Sequence, residues 1–204
     1  MDYYSYAPLL TLPRPVILCG IPGAEVGPTA RIATMFNGLP LSRLADRVAH
    51  LVGESHTRAL ITQGEQKLLD LELEQLQKAL EQRTPPVIAL SDVGLTDPRI
   101  RALASEAGEL VQLRIHFPIA LERIRADVHK DPGKHLHLRN GGSADDEAVL
   151  ARLRFLDRLC REAHRHVDVG ERPPLAVGRQ ISDDLEARAA GQAHPSTGTG
   201  TGSS

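Results

Sequence analysis

Apolar residues occur along the chain in short unbroken runs separated by longer segments with helical periodicity. Residues 16–19 and 87–90 form such runs, which are typical of parallel strands buried on both faces of a sheet, and residues 110–115 are predicted to form a third strand. Residues 39–60 contain a further strand fragment and a short helix, and residues 167–169 are a candidate for a final strand. Strands that alternate with helices at this spacing predict an α/β fold with a parallel sheet.

Local signals predict where the first helices begin and end. Pro28 lies in the first turn of a helix that ends at Asn37-Gly38, because the N–H that proline lacks is not needed there. Thr62 and Glu65 match a capping box, in which each side chain accepts a hydrogen bond from a free backbone N–H, ahead of a helix that reaches about Gln82. The leucines that share one face of this helix are Leu69, Leu73, Leu76 and Leu80.

The second half of the chain carries similar signals. Asp97-Pro98 is an N-cap followed by proline at the first helical position, and Gly108 ends that helix. Pro118 begins another helix, and Ser143 caps the last long one. The predicted core stripe of this last helix is Val149, Leu153, Leu156, Cys160 and Ala163.

These elements predict a single domain over residues 16–185, preceded by an arm over residues 1–15. A chain of 204 residues suits one well-cored domain. Residues 128–142 are polar and rich in His and Gly, which predicts a mobile loop. Residues 190–204 contain mainly Gly, Ser, Thr and Pro, and we expect a disordered tail there.

Composition narrows the functional classes. The formal net charge of −2 gives no basic footprint for nucleic acid or for an anionic membrane, and no apolar run approaches the ~18 residues of a membrane span. Cys19 and Cys160 fit reduced buried thiols better than a disulfide framework, which predicts a cytoplasmic protein. Tyr3, Tyr4 and Tyr6 are expected to pack on the same domain, with a partner contact as the alternative.

The most specific chemical signal is the glycine turn after the first strand. Gly20 and Gly23 lie between an apolar strand and a helix, in the outline of a phosphate-binding loop. In such a loop backbone N–H groups surround phosphates, a Lys reaches the β- and γ-phosphates, and a Ser or Thr hydroxyl binds Mg²⁺. Those last two positions are Val26 and Gly27.

From residue 16 to about residue 168 the chain resembles bacterial shikimate kinases. The resemblance implies a three-layer α/β/α fold with a parallel sheet, the P-loop NTPase fold of the nucleoside-monophosphate-kinase type. The matching residues are Gly20, Gly23, Ala24, Arg31, Gly38-Leu39-Pro40, Gly53, Gly64-Glu65, Leu71-Glu72, Val87-Ile88-Ala89, Asp97-Pro98, Arg101-Ala102-Leu103, Gly108 and Val111.

The nucleotide loop departs from the family at the positions that carry its chemistry. Val26 replaces the family's Lys, and Gly27 replaces the Ser or Thr that binds Mg²⁺. Pro28, just before Thr29, lacks the backbone N–H that an α-phosphate would accept. Glu25 adds negative charge to a turn that should attract anions, and we expect its carboxylate to occupy the anion site at the start of the helix as a substitute for phosphate.

The acceptor half departs as well. The resemblance places the family's Asp-x-Asp pair on Arg43 and Ala45, with Asp46 one residue away, and the Arg that clamps the substrate carboxylate on Leu69. The Gly-Gly-Gly turn falls on Ser91, Asp92 and Val93, whose bulk and charge are expected to fill the substrate's space. The candidates for the arginine of the lid are Lys130, Lys134 and Arg139.

Three alternatives stay open for these positions. A different register would let Arg31 or Lys130 supply the missing cation, and a one-residue shift after Pro40 would make Asp46 a metal ligand. His135-x-His137 and His164-x-His166 invite a metal site. Helical residues two apart point in different directions, so the second pair would need the helix to have ended.

We therefore predict a catalytically inactive relative of shikimate kinases that binds a small carboxylic acid or a protein partner, without a cofactor, catalytic residue or metal. The first alternative is an active shikimate kinase or other small-molecule kinase with rearranged ligands, which would use ATP and Mg²⁺. The second is an assembly protein whose interface is the leucine-rich helix at residues 65–82. The sequence leaves the oligomeric state open.

Overall fold

Five parallel strands form the centre of the molecule. The computed structural model describes residues 10–131, 134–135, 138 and 145–191. The order of strands across the sheet is β2-β3-β1-β4-β5, and every pair is parallel, which confirms the predicted α/β class. The strands are β1 Val16–Gly20, β2 Leu41–Arg43, β3 Val87–Ala89, β4 Glu109–Arg114 and β5 Arg165–Asp168.

Helices cover both faces of this sheet. In chain order the helices are α1 Val26–Met35, α2 Leu44–Val52, α3 His56–Gln63, α4 Glu65–Leu80, α5 Pro98–Ala107, α6 Phe117–Lys130, α7 Asp146–Cys160 and α8 Pro174–Ala189, with a 3₁₀ turn at Gly94–Thr96 before α5.

The alternation of side chains along β4 and β5 separates the two helix layers. Arg165 of β5 forms an ion pair with Asp184 of α8 at 2.7 Å, whereas Gln112 of β4 donates a hydrogen bond to Asp157 of α7 at 3.0 Å. Helix α1 lies in the same layer as α8, and Gly178 lets the two approach so closely that a Cβ there would be 2.6 Å from the Cβ of Ile32. The molecule is thus a three-layer α/β/α structure.

The predicted Asp97-Pro98 cap is confirmed, and the predicted capping box is wrong. Asp97 accepts a hydrogen bond from the backbone N–H of Arg99. Thr62 instead lies inside α3, where its hydroxyl donates to a carboxylate oxygen of Glu54 at 2.6 Å. Helix α4 begins after Gly64, which has a φ of 87° and provides no side-chain cap. The chain therefore enters α4 through the positive φ of Gly64, a conformation that glycine adopts without steric cost.

Two further helices differ from what the sequence predicted. Helix α8 was not predicted at all, although it packs against α1 over much of its length. The N-cap of α7 is Asp145, whose side chain accepts from the N–H of Glu147, whereas Ser143 lies outside the described residues. Residues 1–9 and 192–204 also lie outside them, with the tyrosine cluster and most of the predicted tail.

The apolar core contains both cysteines. Cys19 and Cys160 are fully buried and free, as predicted. A hydrogen bond with the Cys160 thiol, together with burial, raises the pKa of the Cys19 thiol well above its usual value, so Cys19 stays protonated and behaves as a core residue. Within the described part of the chain, no helix combines the length and apolar character needed to cross a membrane.

Candidate functional site

The predicted nucleotide and acceptor positions meet at the carboxyl edge of the sheet. Leu18 of β1 and Arg43 of β2 both pair with Ala89 of β3, so the segments that follow these three strands leave the sheet side by side. Ligands of open parallel sheets bind in the crevice at this edge. The structure thus brings the glycine turn, Arg43 and the segment beginning at Ser91 to one place.

The backbone of the glycine turn is preserved. Gly23 has a φ of 87° and approaches α6 so closely that a Cβ would lie 2.9 Å from the Cα of Ala120. Arg123 of α6 donates from Nη1 to the carbonyl of Gly23 at 3.0 Å and also reaches the carbonyl of Arg172. The glycines that shape the loop are therefore required by contacts within the protein itself.

Val26, at the position of the family's Lys, turns toward the inside of the loop. Its Cγ2 atom lies 3.0 Å from the place where a Cβ on Gly20 would be, and its side chain packs against the core. An apolar side chain in this position gives no ammonium group to a phosphate. The side chain of Val26 therefore serves the packing of the loop.

Arg43 fills the space that the missing side chain of Gly27 leaves. A Cβ on Gly27 would lie 2.9 Å from Nη2 and 3.0 Å from Nε of Arg43. Nη1 of Arg43 forms an ion pair with Asp46 at 2.8 Å, and the buried Nε has no hydrogen-bond partner among the described residues. A guanidinium therefore lies where the resemblance implies a hydroxyl and a carboxylate for Mg²⁺.

These residues do not fit a magnesium-bound nucleotide. Mg²⁺ in such sites needs oxygen ligands in near-octahedral geometry, and neither Gly27 nor Arg43 has one. The neighbouring Asp46 is half exposed and already paired with Arg43, so the alternative in which it binds a metal gains no support. We derive no chemical step through ATP or Mg²⁺.

The first turn of α1 gives no support to the prediction that the Glu25 carboxylate substitutes for phosphate. Glu25 is the N-cap of α1, but its side chain accepts no hydrogen bond from the first turn. Its backbone is left-handed with a φ of 57°, a conformation that costs a residue with a Cβ roughly 1–2 kcal/mol. Pro28 is exposed, whereas Thr29 is buried and its hydroxyl has no partner in the described chain.

On the acceptor side, Leu69 provides no cation and lies buried against the core with 8% of its surface exposed. Leu69 lines a cavity beside the start of α5, and Arg99 of α5 lines the same cavity. Its guanidinium forms ion pairs with Asp97 at 2.6 Å and with Asp70 at 2.7 Å, so two carboxylates neutralise its charge. A ligand carboxylate would have to displace one of them.

The segment at residues 91–93 is fastened to a buried carboxyl group. The Ser91 hydroxyl donates to Oε2 of Glu72 at 2.5 Å, and the Ser91 N–H donates to Oε1 at 2.9 Å. Val93 is buried and Asp92 half-buried. Burial raises the pKa of Glu72 to about 7 against the lowering effect of the Ser91 hydrogen bonds, and the charges of Asp92 and Asp97 raise it further.

Two of the three lid candidates, Lys130 and Lys134, lie in the described part of the chain. Lys130 is exposed at the end of α6, and Lys134 forms an ion pair with Asp127. Although burial opposes it, the hydrogen bonds from Lys134 and His135 lower the pKa of Asp127. Arg139 lies outside the described residues. Arg31, the other alternative cation, is exposed on α1.

The histidine pair at 164 and 166 also needs a correction. Helix α7 ends at Cys160 and β5 begins at Arg165, so His164 lies in the bend between them and His166 on the strand. Each ring is engaged elsewhere, His164 with the N–H of Leu110 and His166 with Gln112. Within the described residues, no three His, Cys, Asp or Glu side chains are arranged to hold a metal.

Sequence reasoning missed three features of this region: the roles of Glu72 and Arg123 and the contact between Arg43 and Gly27. The signal for that contact is present in the sequence, because a side chain is lost at position 27 while a much larger one is gained at position 43. Glu72 was noted only as a match to the family. Nothing in the local pattern of α6 distinguishes Arg123 from its neighbours.

Solved structures of known proteins share the fold. Similar chains include shikimate kinase from Acinetobacter baumannii in complex with shikimate (TM-score 0.69, 19% identity, 83% of this chain and 91% of that one) and shikimate kinase from Bacteroides thetaiotaomicron (TM-score 0.70, 16% identity, 85% and 98%). Shikimate kinase from Aquifex aeolicus is comparable (TM-score 0.67, 19% identity, 86% and 98%).

These likenesses establish that the chain has the shikimate-kinase-like P-loop fold, which confirms the predicted architecture. No protein-family model matches the chain, and no curated protein matches its sequence. Identities of 16–19% speak for the fold and leave the activity of this chain to its own residues.

Proposed function

We propose that this protein does not transfer phosphate and acts by binding a small carboxylic acid or a protein partner on a shikimate-kinase-like fold. The observation that carries the proposal is the Arg43 guanidinium lying against Gly27. A guanidinium beside Gly27 would repel a divalent cation bound there, and its ion pair with Asp46 offsets only part of that charge.

Electrostatics supports this proposal. Two unit charges about 4 Å apart interact by about 4 kcal/mol at the effective dielectric constant of a protein surface, and a divalent cation doubles that repulsion. Val26 adds no compensating contact to phosphate. Loss of a single preorganised group commonly lowers turnover about 10²–10³-fold, and here the cation and both metal ligands are replaced.

The decisive experiment measures nucleotide binding and phosphate transfer together. We expect wild-type protein to show no shift in melting temperature with ATP and Mg²⁺, and no transfer to shikimate in a coupled assay. A shift with carboxylic acids alone would support binding of an acid. Robust phosphate transfer to shikimate by the wild-type chain would overturn the proposal.

A pair of restored variants sharpens this test. The first carries E25G, V26K, G27S and P28T, and the second adds R43D. We expect the second to gain measurable affinity for Mg²⁺-ATP and the first to gain much less, because Arg43 would still lie against position 27. Equal affinity in both would remove Arg43 from the explanation.

A further inference from the structure

A second cavity lies on the opposite side of the sheet from α1. It has a volume of about 690 Å³ and lies beside α7 at the carboxyl ends of β4 and β5. Side chains of Arg114, His116, Asp157, Arg161 and His166 line it. The alternation of β4 and β5 puts these strand residues on the α7 face, whereas α1 and α8 cover the other face. The cavity is therefore separate from the glycine turn.

A chain of hydrogen bonds orients one of these side chains. Gln112 is 3% exposed; its Nε2 donates to Oδ1 of Asp157 at 3.0 Å, and its Oε1 lies 2.9 Å from Nδ1 of His166. A carboxylate only accepts, so the amide N–H groups must face Asp157 and the amide oxygen must face His166. Arg161 forms an ion pair with Asp157 at 3.9 Å.

This arrangement fixes the tautomer of His166. Since the amide oxygen of Gln112 can only accept, Nδ1 of His166 must carry the proton. The neutral ring therefore has its lone pair on Nε2, and the ring is exposed to the cavity. His166 is an oriented acceptor for a hydroxyl or amine proton.

Arg114 supplies the positive charge of the cavity. Its exposed guanidinium forms no ion pair or hydrogen bond with any residue that the structure describes, unlike Arg161, which is shared with Asp157. A free guanidinium is suited to bind a carboxylate through two parallel hydrogen bonds. Asp157 and Asp168 also border the cavity, and their charges disfavour a dianion such as phosphate.

We infer that this cavity binds a small monoanionic hydroxy acid, with its carboxylate on Arg114 and its hydroxyl donating to Nε2 of His166. This inference rests on the proposed function and names the site and class of ligand that the function would use. Arg114 provides affinity, and the Asp157–Gln112–His166 chain provides preference for a ligand with a hydroxyl group.

Binding can be measured by calorimetry with lactate, propionate and inorganic phosphate as probes. We expect lactate to bind at least tenfold more tightly than propionate, which lacks the hydroxyl, and more tightly than phosphate. R114Q should weaken lactate binding at least tenfold. R154Q is the matched control, because Arg154 is exposed on α7 and does not line the cavity.

The position of the site is tested by R43Q, which alters the glycine-turn region. Loss of binding in R43Q with retention in R114Q would place the acid beside the glycine turn and overturn this inference, while leaving the proposed function intact. No binding of any probe would also overturn it, whereas the proposed function would fail separately through phosphate transfer.

The orientation of His166 has its own readout in ¹⁵N NMR of the imidazole. We expect the neutral ring to carry its proton on Nδ1 in the wild-type protein. Q112L should shift the ring toward the tautomer with the proton on Nε2 and should lower the ratio of lactate affinity to propionate affinity. A proton on Nε2 of neutral His166 in the wild-type protein would contradict the proposed donor and acceptor arrangement.

Discussion

The glycine turn and the segment at residues 91–93 lie at the same edge of the sheet, yet their side chains are held in different ways. In the turn the backbone is preserved and the replacing side chains, Val26 and Arg43, are partly exposed. In the other segment Ser91 is fastened to Glu72, which is fully buried. Exposed side chains can rearrange at a small cost in free energy. The ionisation of a buried carboxyl group instead changes the free energy of unfolding.

The largest expected effect comes from the buried side of this comparison. Because the folded pKa of Glu72 is about 7 against 4.5 in the unfolded chain, the folded state holds more protons between those values. The free energy of unfolding should therefore fall as pH rises from 4.5 to 7, by about 3 kcal/mol in total. Urea denaturation of the wild-type protein across this range measures the slope.

The matched pair for this measurement is E72Q and E74Q. Glu74 lies on the same helix but is half exposed and paired with Lys78. E72Q should remove most of the slope, and E74Q should leave it unchanged. An equal slope in wild-type and E72Q protein would assign the pH dependence to other groups, such as His56, whose Nε2 lies 4.0 Å from Glu72.

A smaller effect is expected in the glycine turn. E25G should stabilise the protein by about 1 kcal/mol, because glycine adopts the left-handed conformation of residue 25 without steric cost. E25A keeps the Cβ and removes the charge, so it should not stabilise in the same way. Thermal melting of both variants distinguishes backbone strain from electrostatics, and equal stabilisation would attribute the effect to the carboxylate.

The smallest effect tests the contact between Arg43 and Gly27. G27S should push the flexible end of Arg43 toward solvent, so the loss in stability should be below about 1 kcal/mol. In a double-mutant cycle with R43A the coupling energy should be about 0.5 kcal/mol, at the low end for residues in contact. Strict additivity would show that the two positions do not interact.

Signals confined to neighbouring residues explain which parts of the fold the sequence predicted. Asp97-Pro98 was interpreted correctly because an N-cap needs only the N–H two residues later. Thr62 matched a capping box equally well, but it lies within α3 and its hydroxyl donates to Glu54, which precedes that helix. That choice depends on how two short helices pack, which the local pattern does not contain.

The remaining errors have the same origin at longer range. Helix α8 faces α1 with Gly178 and Ser182 among its buried positions, and small residues on the packed face weaken the apolar periodicity that identifies a helix. The position of Arg43 against Gly27 joins residues 16 apart in the sequence. The side chain that lies against Gly27 comes from β2, which β3 separates from β1 in the sheet.

The fit between Gly27 and Arg43 also bears on how this protein could change over time. A serine restored at position 27 would still face a guanidinium, and an aspartate restored at position 43 would face a residue without a hydroxyl group. Under the proposed function, neither substitution alone would rebuild a magnesium site, so the two positions would have to change together.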